Sequence, residues 1–176
     1  MRRLDWVSDC ASCAGLCCEL TTFEASEDFA FDKPSGERCP HLRASARCAI
    51  HAERAQHGFG GCVGYECFGA GPRATRLFQS EPLPIRIEGF RIMRALTEHA
   101  WLLQQAQALC SERMAALRCE LACELDRVQA LIDGPAPALL ACDAGALEAR
   151  GHTLLQRVGA ALGGRGGIAC TSERPR

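Results

Sequence analysis

The sequence predicts a small, irregular, cysteine-rich metal-binding domain followed by a mainly α-helical C-terminal part of two or three helices. Three observations carry that prediction. Four cysteines, Cys10, Cys13, Cys17 and Cys18, fall within nine positions, and Cys39, Cys48, Cys62 and Cys67 follow before residue 70. From Glu19 to Arg38 large apolar anchors are few, chiefly Phe23, Phe29 and Phe31. From Ile85 to Ile132 apolar residues recur at helical spacing among Ala, Leu, Glu and Arg, all good helix formers. The expected units are a metal-binding domain over 1–72, a helical region over 82–162 and a disordered tail over 163–176.

The N-terminal unit is organised by its thiols. A thiolate is a soft anionic donor, and four of them surround one zinc ion or anchor one iron–sulfur cluster. Cys10 and Cys13 have the two-residue spacing of a metal knuckle. Cys17 and Cys18 are adjacent: in an extended segment they reach two metals, and in a helix or tight turn they share one. Eight cysteines before residue 70 far exceed ordinary usage. Trp6 and Val7 are expected to pack beside this stretch. Asp32–Gly36 reads as a turn, and residues 19–38 as irregular structure that a bound metal organises. Pro40 fixes a turn after Cys39, and Cys48–Arg54 reads as one or two helical turns. Gly58, Gly60 and Gly61 are expected to let backbone amides approach the sulfurs.

The joint pattern resembles the YkgJ-type cysteine-cluster (CxxCxxCC) zinc- or iron-chelating family. Cys10, Cys13, Cys17 and Cys18 match its head, Cys39 with Leu42 its middle cysteine, and Cys48-Ala-Ile-His51 with Arg54 its C-x-I-Y segment; Cys62 and Cys67 complete the set. The head carries one extra residue within Ala14-Gly15-Leu16. Histidine stands where tyrosine is usual, and no proline follows Arg54. The resemblance covers residues 8–70 and implies metal binding by those eight cysteines.

In the C-terminal part, Phe90, Met93, Leu96, Ala100 and Leu103 form one stripe. Cys110, Met114, Leu117, Leu121, Leu125, Val128 and Ile132 form a second. One unbroken helix from 86 to 132 would run about 70 Å, so a break is expected near Ser111, a candidate N-cap, giving an antiparallel pair. Asp133-Gly134-Pro135 stops the second helix, and Asp143 starts a third carrying Leu147, Leu154, Leu155 and Val158. This part also looks like the segment that follows the cysteine cluster in some pentapeptide-repeat proteins, although the repeats themselves are absent here. Its apolar stripes exceed what two helices bury against each other, so the cysteine-rich unit, the third helix or a protein partner such as a second chain is expected to cover the surplus.

At 176 residues, with 48% hydrophobic residues and a net charge of -1, the chain calls for neither nucleic acid nor an anionic membrane. Aromatics are 6%, too few for base-stacking platforms. No stretch approaches the ~18 apolar residues of a membrane span, and no signal-peptide core follows Met1-Arg2-Arg3. A cytoplasmic location, with reduced thiols rather than disulfides, is expected; thirteen cysteines is also an odd number for complete pairing.

His41, His51 and His57 lie among the ligand cysteines, and a supporting role beside them outweighs direct ligation. Cys119 and Cys123 share a helical face opposite Leu117 and Leu121. Two thiols alone do not complete a soft site, so exposure outweighs a copper-store-like pair, although a dimer would bring four thiols together. Cys110 reads as packing, and Cys142 and Cys170 have no partners by spacing. The expected function is a protein holding zinc or iron for chelation, structure or delivery. The alternative is an iron–sulfur enzyme or accessory built on the same cysteines. No nucleophile–base spacing and no phosphate-binding glycine motif is present, so no catalytic residue is assigned. Eight thiolates suit two mononuclear zinc sites, one bridged cluster, or one four-thiolate cluster with spare cysteines.

Overall fold

The computed structural model describes residues 6–163. Apart from Gly163, which closes the last helix, the tail expected over 163–176, with Cys170, lies outside the described residues. The first elements are a 3-10 turn at Cys10–Ser12, α1 (Leu16–Leu20), α2 (Gly60–Gly64) and α3 (Ala70–Phe78). Three long helices follow, α4 (Leu83–Leu109), α5 (Ala115–Ile132) and α7 (Ala144–Gly163), with short α6 (Ala136–Leu140) between the last two. Among the described residues there is no β-strand, only isolated bridges pairing Phe23 with Lys33 and Leu42 with Cys48. No helix of the described residues is long and apolar enough to cross a membrane.

The long helices form where periodic apolar residues meet stop signals. Pro84 sits in the first turn of α4, where its missing N–H costs nothing. The predicted stripe on α4 is buried, with Met93, Leu96, Ala100 and Leu103 fully enclosed. The chain breaks at Cys110 and Ser111, both extended, and a 3-10 turn at Glu112–Met114 leads into α5. Ser111 marks the break, but its side chain makes no capping bond; the extended backbone turns the chain by itself. α5 packs back on α4 through Leu117, Leu121, Leu125, Val128 and Ile132. Gly134 ends it where a Cβ would fall 2.8 Å from the Ala130 carbonyl oxygen. α6, not foreseen, buries Leu139 completely. Asp143 caps α7, accepting from Ala146 N at 2.9 Å.

The N-terminal part shares this core. Leu16 and Leu20, one turn apart on α1, join Ala70, Ala74 and Phe78 of α3 and the apolar faces of α4, α5 and α7 in one continuous cluster. α3 crosses the boundary drawn at residue 72, so Gly71 and Pro72 open a helix rather than end a region. Residues 21–64 contribute no buried member to that cluster. They carry their own aromatic group: Phe23 stacks on Phe29 at 4.5 Å, and Phe59 meets Phe31 edge-on at 5.2 Å. Trp6 packs on the helical core and donates through Nε1 to Gln104 Oε1. Val7, expected to pack with it, is 70% exposed.

His99 is buried in α4, and its ring lies where a side chain on Gly151 of α7 would stand. Its Nε2 has no hydrogen-bond partner among the described residues. Burial pushes its pKa below the ordinary 6.5; Glu124 and Glu148 oppose that shift, and Arg150 adds to it. Because the folded value is lowered, the unfolded chain takes up the proton first as pH falls through about 6.5. Stability is therefore expected to be flat above that pH and to fall below it. Thermal unfolding at about pH 7.5 and pH 5 checks this, and His99→Leu should flatten the acid arm.

Candidate functional site

All eight N-terminal cysteines line one cavity of about 240 Å³. Local sequence explains how each arrives. Asp9 caps the 3-10 turn that carries Cys10, accepting from Ala11 N at 2.9 Å and Ser12 N at 3.3 Å. Gly15 then takes a left-handed φ of 75° at the N-cap of α1. A Cβ there would lie 2.7 Å from a Leu42 methyl. Cys17 and Cys18 are thus consecutive residues of a helix, and both face the same cavity. Cys39 is tied to α1 by its N–H to the Cys18 carbonyl at 2.8 Å. Cys48 sits on the Leu42 bridge, Cys62 in α2, and Cys67 just before α3.

None of the described cysteines is in a disulfide. Cys13 Sγ and Cys67 Sγ lie 2.8 and 3.7 Å from the point a Cβ on Gly71 would occupy, so this glycine is where the backbone makes room for sulfur. At Gly61 the constraint is different: a Cβ there would fall 2.3 Å from the Phe29 ring. Among the described residues, no group of three or more His, Cys, Asp or Glu side chains is arranged to hold a metal ion as those side chains stand. The thiols ring the cavity rather than converge on one point.

Burial helps to hold the proton on three of the cavity thiols, Cys10, Cys17 and Cys62. It pushes the Cys10 thiol up, with Cys17, Cys13 and Cys67 adding to the effect. Cys17 is raised by its hydrogen bond with Cys18 and then by burial. Cys62 is raised by burial and by Cys17 and Cys39, with Arg54 opposing. Three cations of this part of the chain stand out, and Arg54 opposes the shift at Cys10 and Cys62. Arg54 lines the cavity and donates to the carbonyls of His51 at 2.9 Å and Cys62 at 2.6 Å. Arg47 donates to the Cys10 carbonyl at 2.6 Å and to that of Ala11.

Lys33 is the third cation, and it is only 2% exposed. Its ammonium donates to the carbonyls of Glu19, Pro34 and Glu37 at 3.3, 3.2 and 2.7 Å, and makes no ion pair with a carboxylate of the described residues. Burial lowers its pKa, and Cys39, Cys18, Glu37 and Cys17 oppose that shift in that order. A buried ammonium is costly unless it is hydrogen-bonded or anions lie near, and here three carbonyls take up its protons. Sequence reasoning missed Lys33 because Asp32-Lys33-Pro34 reads as a solvated turn. It also missed Ser8, whose hydroxyl accepts from Cys67 N at 3.0 Å and stands 2.9 Å from the Cys67 sulfur. His41 and His51 line the cavity; His57 instead turns to Glu53 at 3.4 Å.

The fold and this cavity define a mainly helical, cysteine-rich protein with its thiols gathered at the N-terminal end. The chain is 36% identical over 113 residues to the uncharacterized protein YybG of Bacillus subtilis (strain 168). That match takes in 60% of this chain and 40% of YybG, so the chain spans well under two thirds of that relative's length. No family model matches the chain, and no solved structure matches it.

Proposed function

We propose that the chain is a metal-binding protein that holds zinc or iron on Cys10, Cys13, Cys17, Cys18, Cys39, Cys48, Cys62 and Cys67. The observation that carries this reading is the gathering of all eight thiols around one cavity. A bound cation displaces thiol protons, and negative charge on Cys39, Cys18 and Cys17 favours the charged form of Lys33. The donor set is soft, which suits zinc, iron or an iron–sulfur cluster. The resemblance to the YkgJ-type family agrees with it. The role is chelation, structure or delivery in the cytoplasm, where thiols stay reduced. A second reading, an iron–sulfur enzyme or accessory, draws on the single shared cavity, which suits a cluster as well as separate ions.

Metal analysis of the anaerobically purified chain, with a thiol count, tests the proposal. Zinc leaves the protein colourless, whereas an iron–sulfur cluster absorbs near ~400 nm. Cys13→Ser is expected to lower metal content, and Cys142→Ser to leave it unchanged. Gly71→Ala sharpens the test. In an ordinary helix that change adds about 1 kcal/mol of stability, but here the new methyl displaces the Cys13 sulfur and should reduce metal content. Equal metal loss from Cys13→Ser and Cys142→Ser, or no zinc or iron in the parent protein, would overturn the reading.

A further inference from the structure

Cys119 and Cys123 lie outside the eight-thiol cavity. Both are exposed and stand one turn apart on α5. Both line a groove between α5 and α7 with Glu120, Glu124, Arg127 and Arg150. The carboxylates of the groove are already engaged. Glu120 pairs with Arg157, and the buried Glu124 pairs with Arg127 and Arg150, each at 3.2 Å. The Thr153 hydroxyl donates to the Ala149 carbonyl at 3.0 Å. The two sulfurs are left as the soft donors of the groove.

Their spacing decides what they suit. Side chains one helical turn apart keep their Cβ atoms about 5–6 Å apart, whereas a disulfide needs about 3.5–4.5 Å. The pair is spaced to be bridged through an inserted atom, not to bond directly. No third His, Cys, Asp or Glu is arranged to complete a metal site among the described residues. Zinc, which takes four donors, is therefore a poor match. Soft thiolates select copper(I); the expectation that two thiols leave a soft site incomplete holds for four-donor ions such as zinc, whereas a d10 copper(I) ion is satisfied by two sulfurs.

We propose that Cys119 and Cys123 of one chain form a two-sulfur site for a soft d10 cation, copper(I) in a cell, separate from the N-terminal thiols. Binding exchanges the two thiol protons, which pass to water, for one ion. No oxidation state changes.

The full-length protein tests this without oxygen. Copper(I) is titrated in against a copper(I) chelator, the thiols are pulse-alkylated, and the chain is cut with trypsin. Cleavage after Arg118 and Arg127 releases residues 119–127, which carry both thiols and no other cysteine; residues 128–150 carry Cys142 alone. Copper(I) is expected to slow alkylation of Cys119 and Cys123 together by about tenfold or more, because a coordinated thiolate is no longer a free nucleophile. Cys142 should stay reactive at the same free copper(I) level. In Cys119→Ser, an exposed change that should leave the circular dichroism unaltered, protection of Cys123 should vanish. Light scattering should give the same mass with and without copper(I). Equal protection of Cys123 in that variant, protection no better than that of Cys142, or a doubling of mass on loading would overturn the proposal. The N-terminal thiols are read on their own peptides, so failure there is scored separately.

Discussion

A strong chelator is expected to open residues 8–70 to trypsin while leaving α4, α5 and α7 folded. Residues 21–64 hold two isolated bridges and a single 3-10 turn ahead of α2, and no buried member of the main core. Ordering a residue costs about 1–2 kcal/mol of backbone entropy, and the Phe23–Phe59 aromatic group alone is small against that cost over some forty residues. The bundle, by contrast, encloses Met93, Leu96, Leu103, Leu121 and Val128 completely. Cleavage at Arg38, Arg43, Arg47 and Arg54 should accelerate about tenfold or more once metal is removed, because local opening governs proteolysis. Far-UV circular dichroism should fall only slightly. Unchanged resistance of these arginines after complete metal removal would refute the expectation.

The second large effect is expected at Gly151→Ala. Helix propensity alone favours alanine in α7 by about 1 kcal/mol. Packing reverses the sign: the new Cβ would stand 1.8 Å from His99 Cε1 and 2.3 Å from Nε2. His99 cannot yield easily, because it is buried between α4 and α7. A net loss of about 3 kcal/mol is expected from the overpacking. Combined with His99→Ala, which removes the obstructing ring, Gly151→Ala should cost far less than it does alone. Denaturant melts of the four proteins in the cycle measure the coupling. Additive losses would mean that α7 shifts away instead.

Much of the helical part was legible because burial there follows a 3.6-residue period. Each predicted stripe residue from Phe90 to Leu103 is indeed buried, and the break fell at Ser111. Asp143 was readable as a cap because capping is local chemistry. The eight cysteines were legible by spacing, and they do gather at one cavity. What surrounds them was not. Arg47 and Ser8 reach the site across 37 and 59 positions of sequence, Lys33 is buried against the Glu19 carbonyl 14 positions away, and no local signal distinguishes a buried lysine from a solvated one. Pro72 misled for a related reason. Proline marks both the end of one element and the first turn of the next, and only the tertiary fold shows that α3 begins there.

α1 has a consequence for kinetics. It carries Cys17 and Cys18 on one side and inserts Leu16 and Leu20 into the bundle on the other, while Glu19 is paired with Arg86 of α4. If both thiols hold an ion as proposed, undocking of α1 would carry both donors away together and open a route for its release. Exposing two buried leucines costs about 3 kcal/mol or more, which makes the open state about a hundredfold rarer than the closed one. Residence time would then depend on the leucines, so that Leu20→Ala shortens it without touching a single sulfur.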